Sequence, residues 1–142
     1  MTALVGGALE IDPFNQPNVT EAKNATSALL AEWGGVLPSF APDHVDGSVG
    51  IFGKGKSLKD ALQEFCADIP ADGYISIHAY LDRRDDAQLS ELRKILTYAT
   101  GHPVTFGWGP RFLHSTGQFH KGGQQNGAFL QITGETSIDY SI

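Results

Sequence analysis

Apolar positions in this chain recur at helical spacing near its start and then fall into alternating helix- and strand-like segments. Taking 100° per residue, Val19, Ala22, Thr26, Leu29, Leu30 and Trp33 form one stripe. A helix is therefore predicted from Pro17 to about Trp33, opened by Asn15, Pro17 and Glu21 and stopped at Gly34-Gly35. Lys23 falls at the edge of that stripe, away from Glu21 and Glu32, where a lysine either snorkels out from the core or points into a cleft. A Pro-punctuated connection runs from Leu37 to Gly47. Beyond it the pattern predicts a strand over Val49–Phe52, a helix over Ser57–Asp68 and a strand over Tyr74–Leu81. A further helix covers about Asp86 to Thr100, with Leu89, Leu92, Ile95, Leu96 and Ala99 on one side, and Gly101-His102-Pro103 ends it. Val104–Trp108 reads as a strand, then comes a Gly-rich loop, then a last strand over Ala128–Thr133. Alternating elements of this kind predict an α/β fold with a small, partly parallel sheet.

The opening stretch, Thr2 to Ile11, is apolar and rich in small residues, and it starts without a capping residue. It reads as the tail of a helix, and its apolar surface calls for a partner. A homo-oligomer is therefore expected, held partly by Leu4, Val5 and Leu9.

Length and charge narrow the classes. A chain of 142 residues can hold one core. Its net charge of −6 argues against a general nucleic-acid binder, which needs a basic face. No apolar run reaches the length of a membrane span and no signal peptide is visible, so the cytoplasm is expected. The single Cys66 lies on the apolar side of its helix and reads as a small buried hydrophobe. Asp82-Arg83-Arg84-Asp85-Asp86 reads as a solvated charge run.

Two stretches carry candidate chemistry. Gly50 to Ser57 satisfies the phosphate-loop pattern GxxxxGK[ST] and precedes a helix. The context is poor, because Ile51 and Phe52 would fall inside the loop. A short strand, a Gly-Lys turn and a helix opened by Ser57 is the simpler reading. The run from Pro110 to Gly123 gathers Arg111, His114, His120 and Lys121 among glycines, hydroxyls and amides. Arg and Lys recognise anionic oxygens, and glycines allow close backbone approach. A phosphorylated or carboxylated ligand is expected there. The two histidines either contact ligand or a neighbouring subunit, or hold the loop through Ser115, Thr116 and Gln118. No carboxylate or thiolate cluster completes a metal site around them. His78, on a buried strand, reads as a hydrogen-bonded core residue.

The segment from Tyr74 to Thr133, with its run Pro110-Arg111-Phe112-Leu113-His114-Ser115-Thr116-Gly117-Gln118-Phe119-His120-Lys121-Gly122-Gly123, resembles the C-terminal end of the glucose-6-phosphate isomerases that occur fused to transaldolase. Near the N-terminus, Asp12-Pro13-Phe14-Asn15-Gln16-Pro17-Asn18-Val19-Thr20-Glu21-Ala22-Lys23 resembles the motif N-P-F-D-Q-x-G-V-E-x-x-K of glucose-6-phosphate isomerases in general. Asn15 stands where that family usually has Asp, and Asn18 where it usually has Gly. Gln16, Val19 and Lys23 keep their positions. The two matches come in family order and leave Pro38 to Ser48 and the last residues uncovered.

The resemblance implies that residues 1–36 are the helical end of a sugar-isomerase (SIS) domain and that 37–142 form a small α/β C-terminal subdomain. It implies a share in interconverting glucose 6-phosphate and fructose 6-phosphate, with no cofactor and no metal. Lys23 is then the catalytic residue and Gln16 binds substrate, with Arg111, His114, His120 and Lys121 as further substrate-binding candidates. The family's Glu base and ring-opening His lie upstream of the matched region. The chain is accordingly expected to be inactive alone and to work with the remainder of the isomerase or a partner subunit. A non-catalytic sugar-phosphate-binding or assembly module is the alternative, and a nucleotide-binding phosphate loop a third.

Overall fold

A computed structural model describes residues 1–15, 17–36, 38–109 and 117–135. These fall into two compact units, residues 1–39 and the remainder from Phe40 onward. The first unit holds helices α1 (Thr2–Ala8) and α2 (Pro17–Glu32). Helix α2 has the expected bounds. Its apolar stripe, expected to be covered, is largely exposed: Leu29 and Leu30 keep 44% and 52% of their surface. Leu4, Val5, Leu9 and Ile11 are exposed as well.

The second unit opens with a hairpin that the periodicity does not announce. Strands β1 (His44–Asp46) and β2 (Val49–Ile51) pair antiparallel, with Asp46 opposite Val49. The Leu37–Gly47 connection was expected to lack structure, so β1 is a correction. Its signal is Asp46-Gly47: Gly47 adopts φ +61° at the first position of a two-residue turn, where a side chain would be strained. Ser57 then caps α3 (Leu58–Ala67), its Oγ accepting the Asp60 N–H at 3.1 Å.

Among the described residues the main sheet is three-stranded and parallel throughout, in the order β4 (Val104–Trp108), β3 (Tyr74–Tyr80), β5 (Gly127–Thr133). Between β3 and β4 the expected single helix is two elements, a 3-10 turn over Ala87–Glu91 and α4 (Leu92–Thr100). Helix α4 stops at Gly101, whose left-handed φ of +74° lets its N–H reach the Thr97 carbonyl.

Strand residues alternate between the two sheet faces. Ile75, Ile77 and Ala79 of β3 are fully buried. Ile75 and Ile77 form a core with Ile69 and Leu96, against which Phe65, Cys66, Leu92, Phe106 and Leu130 pack. Cys66 thus sits among hydrophobes, and burial pushes its thiol above the usual range, away from the reactive thiolate. Ile95 was expected on the same stripe as Leu92 and Leu96. It is 58% exposed, since only part of α4 faces the sheet.

The opposite face presents Tyr74, Ser76 and His78 from β3, with Thr105 and Phe129 in register beside Ser76. Helix α5 (Gly117–Gly122) lies on this second face, its His120 bonded to Tyr74 and Ser76. The β3-to-β4 and β4-to-β5 crossovers therefore cover opposite faces of one parallel sheet.

Candidate functional site

Lys23 lies in the middle of α2 with its side chain exposed. Among the described residues no carboxylate forms an ion pair with it. Its ammonium is presented to solvent and can meet an anion without first breaking a bridge. Gln16, Arg111 and His114 lie outside the described residues.

The second face of the sheet is where polar chemistry concentrates. Ser76, only 2% exposed, is the buried polar residue at its centre. Its Oγ accepts from the Thr105 hydroxyl at 3.0 Å and stands 2.9 Å from His78 Nε2 and 3.4 Å from His120 Nε2. The other nitrogen of His120, Nδ1, lies 2.8 Å from the Tyr74 hydroxyl. The rings close around this chain. His78 and His120 have centroids 5.7 Å apart, and Phe129 stands edge-on to His120 at 5.2 Å.

Burial disfavours charge throughout this group. It pushes the Tyr74 phenol up and holds His120 below the ordinary histidine value. Burial lowers His78 too, and charge on neighbouring His120 lowers it further. Both imidazoles are accordingly neutral near pH 7, each able to donate from one nitrogen and accept at the other.

No family model, curated protein or solved structure matches this chain. The functional reading therefore rests on the residues themselves.

Several expectations change against this geometry. The Gly-rich loop contains a helix, α5, and His120 and Lys121 lie in its last turn. His120 is anchored by Tyr74 and Ser76, partners 46 and 44 residues away in the chain. No local pattern in the sequence names them. Lys121 is exposed. His78 is hydrogen-bonded as expected, but it belongs to the α5 face and is only half-buried. Ser76 carries the buried role that its neighbour was assigned. A Ser-His nucleophile is a poor reading of this pair, because the hydroxyl is sealed beneath its neighbours.

The phosphate-loop reading is also corrected. Gly50 and Ile51 sit in the β1–β2 hairpin, not at the end of a parallel strand. One backbone N–H of the pattern, and that of the residue just after it, are already taken by carboxylates. Asp43 Oδ2 accepts from Gly53 at 2.7 Å, and Asp46 Oδ2 accepts from Leu58 at the start of α3 at 2.9 Å. Lys54 pairs with Asp68 at 2.7 Å, which raises its ammonium above the ordinary value, first through that hydrogen bond and then through the opposite charge. An incoming phosphate would meet two carboxylates where it needs donors.

His102 has a structural part, its Nδ1–H donating to the Gly73 carbonyl at 3.0 Å. Asp82, in the exposed charge run, accepts the N–H groups of Arg84 and Asp85, and these bonds lower its carboxyl below the usual range. A shallow depression lined by Arg93, Lys94, Thr97, Tyr98 and Val104 contains none of the residues singled out from the sequence.

Proposed function

We propose that this chain is the C-terminal part of a glucose-6-phosphate isomerase, of the kind that occurs fused to transaldolase, acting in the cytoplasm. The observation that carries the reading is the Asp12-to-Lys23 pattern, with Lys23 exposed on α2 and available to an anion. The later segment around Gln118-Phe119-His120-Lys121 supports it by following in family order.

Interconverting the two sugar phosphates requires ring opening and movement of a proton between C2 and C1 through an enediol or enediolate. Negative charge develops on oxygen during that step. An ammonium brought beside that oxygen, the role proposed for Lys23, stabilises it more in the transition state than in the ground state. Gln16 serves a sugar hydroxyl or the phosphate through its amide. The base that moves the proton and the acid that opens the ring come from residues outside this chain.

The test is a coupled assay of fructose 6-phosphate turnover. The native polypeptide carrying these residues is expected to isomerise hexose 6-phosphates, and residues 1–142 alone to show no turnover. Turnover by the isolated chain, or none by the native polypeptide, sinks the reading.

The exposed apolar residues of the opening segment favour the assembly side of the same proposal. Leu4, at 75% exposure, and Leu9, at 62%, offer surface that association would remove from water. The isolated chain is expected to sediment as a dimer or larger at tens of micromolar. A clean monomer with Thr2 to Ile11 protected from hydrogen exchange overturns this expectation.

A further inference from the structure

Helix α5 has six residues, too few to hold helical structure by itself in water. Among the described residues its side-chain attachments to the sheet come from Phe119 and His120. The Phe119 ring stands 5.8 Å from Tyr74 but is 57% exposed. His120 makes the polar attachment, through both ring nitrogens.

The hydrogen inventory of that attachment is limited. Ser76 has one hydrogen to give and two lone pairs to offer. Thr105 donates into one lone pair. With both imidazoles neutral, the remaining bonds close in either direction. In one, Tyr74 donates to His120, His120 to Ser76 and Ser76 to His78. In the other, every donation along the chain is reversed.

One added proton also fits: a cationic His120 donates to Tyr74 and to Ser76, while Ser76 still donates to His78. A second proton does not. Both Nε2–H groups and Thr105 would then converge on one hydroxyl oxygen, and two cations would face each other with centroids 5.7 Å apart.

We propose that the Tyr74–His120–Ser76–His78 chain is an acid-released latch, holding α5 on the sheet while at most one imidazole carries a proton and releasing it when both do. Among the described residues the titratable side chains on the latch face are Tyr74, His78 and Tyr80 from β3 and His120 from α5. Thr105 of β4 and Phe129 of β5 bring no charge, and Lys121, next in the chain, is exposed.

The sign follows from linkage. Docked imidazoles bind protons less readily than released ones, so the released state takes up more protons. Docking is complete above the ordinary histidine value near 6.5 and is lost as pH falls below it. This inference does not depend on the isomerase reading.

Hydrogen exchange of the full chain between pH 7.5 and 5.0, corrected for the intrinsic pH dependence of exchange, tests it. Peptides covering α5 are expected to lose roughly tenfold in protection across that range while those covering β3 keep theirs. His78→Gln leaves Ser76 a partner that does not titrate, and should flatten the response. Flat protection in the native chain overturns the latch, as does equal loss in α5 and β3, or an unchanged response in His78→Gln. A measurement on the unsubstituted chain guards against a misfolded variant. The ring protons of His78 and His120 should titrate in two separated steps, and a single common step at the ordinary value overturns the proposal.

Discussion

On the proposed isomerase reading, Lys23→Ala in the native polypeptide is expected to lower kcat/KM by roughly 10²–10³, the loss typical of one donor aimed at developing negative charge. The fall should lie mainly in kcat, because the charge that the ammonium meets grows only as the enediolate forms. Stability should hardly move. Lys23 is exposed, and neither of the ion pairs among the described residues involves it. Lys23→Arg separates charge from position, since a guanidinium keeps the cation but spreads it over a planar fork. Partial recovery by Arg marks charge as the main contribution. An unchanged rate in Lys23→Ala would make this residue a solvated surface lysine and leave the isomerase proposal without its central observation.

Ile77→Ala is expected to cost about 2–5 kcal/mol of folding free energy, as removal of a fully buried branched side chain generally does. Ile77 is at the centre of the middle strand, in register with Phe106 on one side and Leu130 on the other, and it has no exposed surface. Among the described residues the buried core cluster is small, four residues with partly buried neighbours around them, so little remains there to close over the cavity. Against a typical domain stability of about 5–15 kcal/mol, such a loss is a large share. Ile95→Ala is the matched control: the same chemical change at a residue 58% exposed should stay within about 0.5 kcal/mol. Urea midpoints of the two variants decide the matter. Equal shifts would place the core elsewhere.

The carboxylates in the β1–β2 region show how a motif can match while its chemistry fails. The pattern from Gly50 to Ser57 is complete in the sequence. Asp43 and Asp46 lie outside it and are brought by the hairpin onto N–H groups that a phosphate would need. Spacing along the chain says which backbone donors are available in principle. Only the fold says which of them are already taken.

The sequence by itself determined the elements with a strong local signature: α2 between Pro17 and Gly34, α3 behind its Ser57 cap, and strands β3, β4 and β5 in their order. Caps, breakers and periodicity act over a few residues, so they can be read without knowing what packs where. The pattern behind the Lys23 proposal is contiguous, so it too is read from the sequence alone. Tertiary structure decided that all three strands of the main sheet run parallel and that α4 buries Leu96 but not Ile95. It also made a helix of the glycine-flanked segment at His120, where propensity argues for a loop. Tyr74 and His120 meet across 46 residues, and Ser76 becomes buried because α5 and Thr105 approach it from different elements. Such contacts depend on which strands become neighbours, a choice made by the burial of Ile75 and Ile77 on the opposite face and not by anything near His120 in the chain.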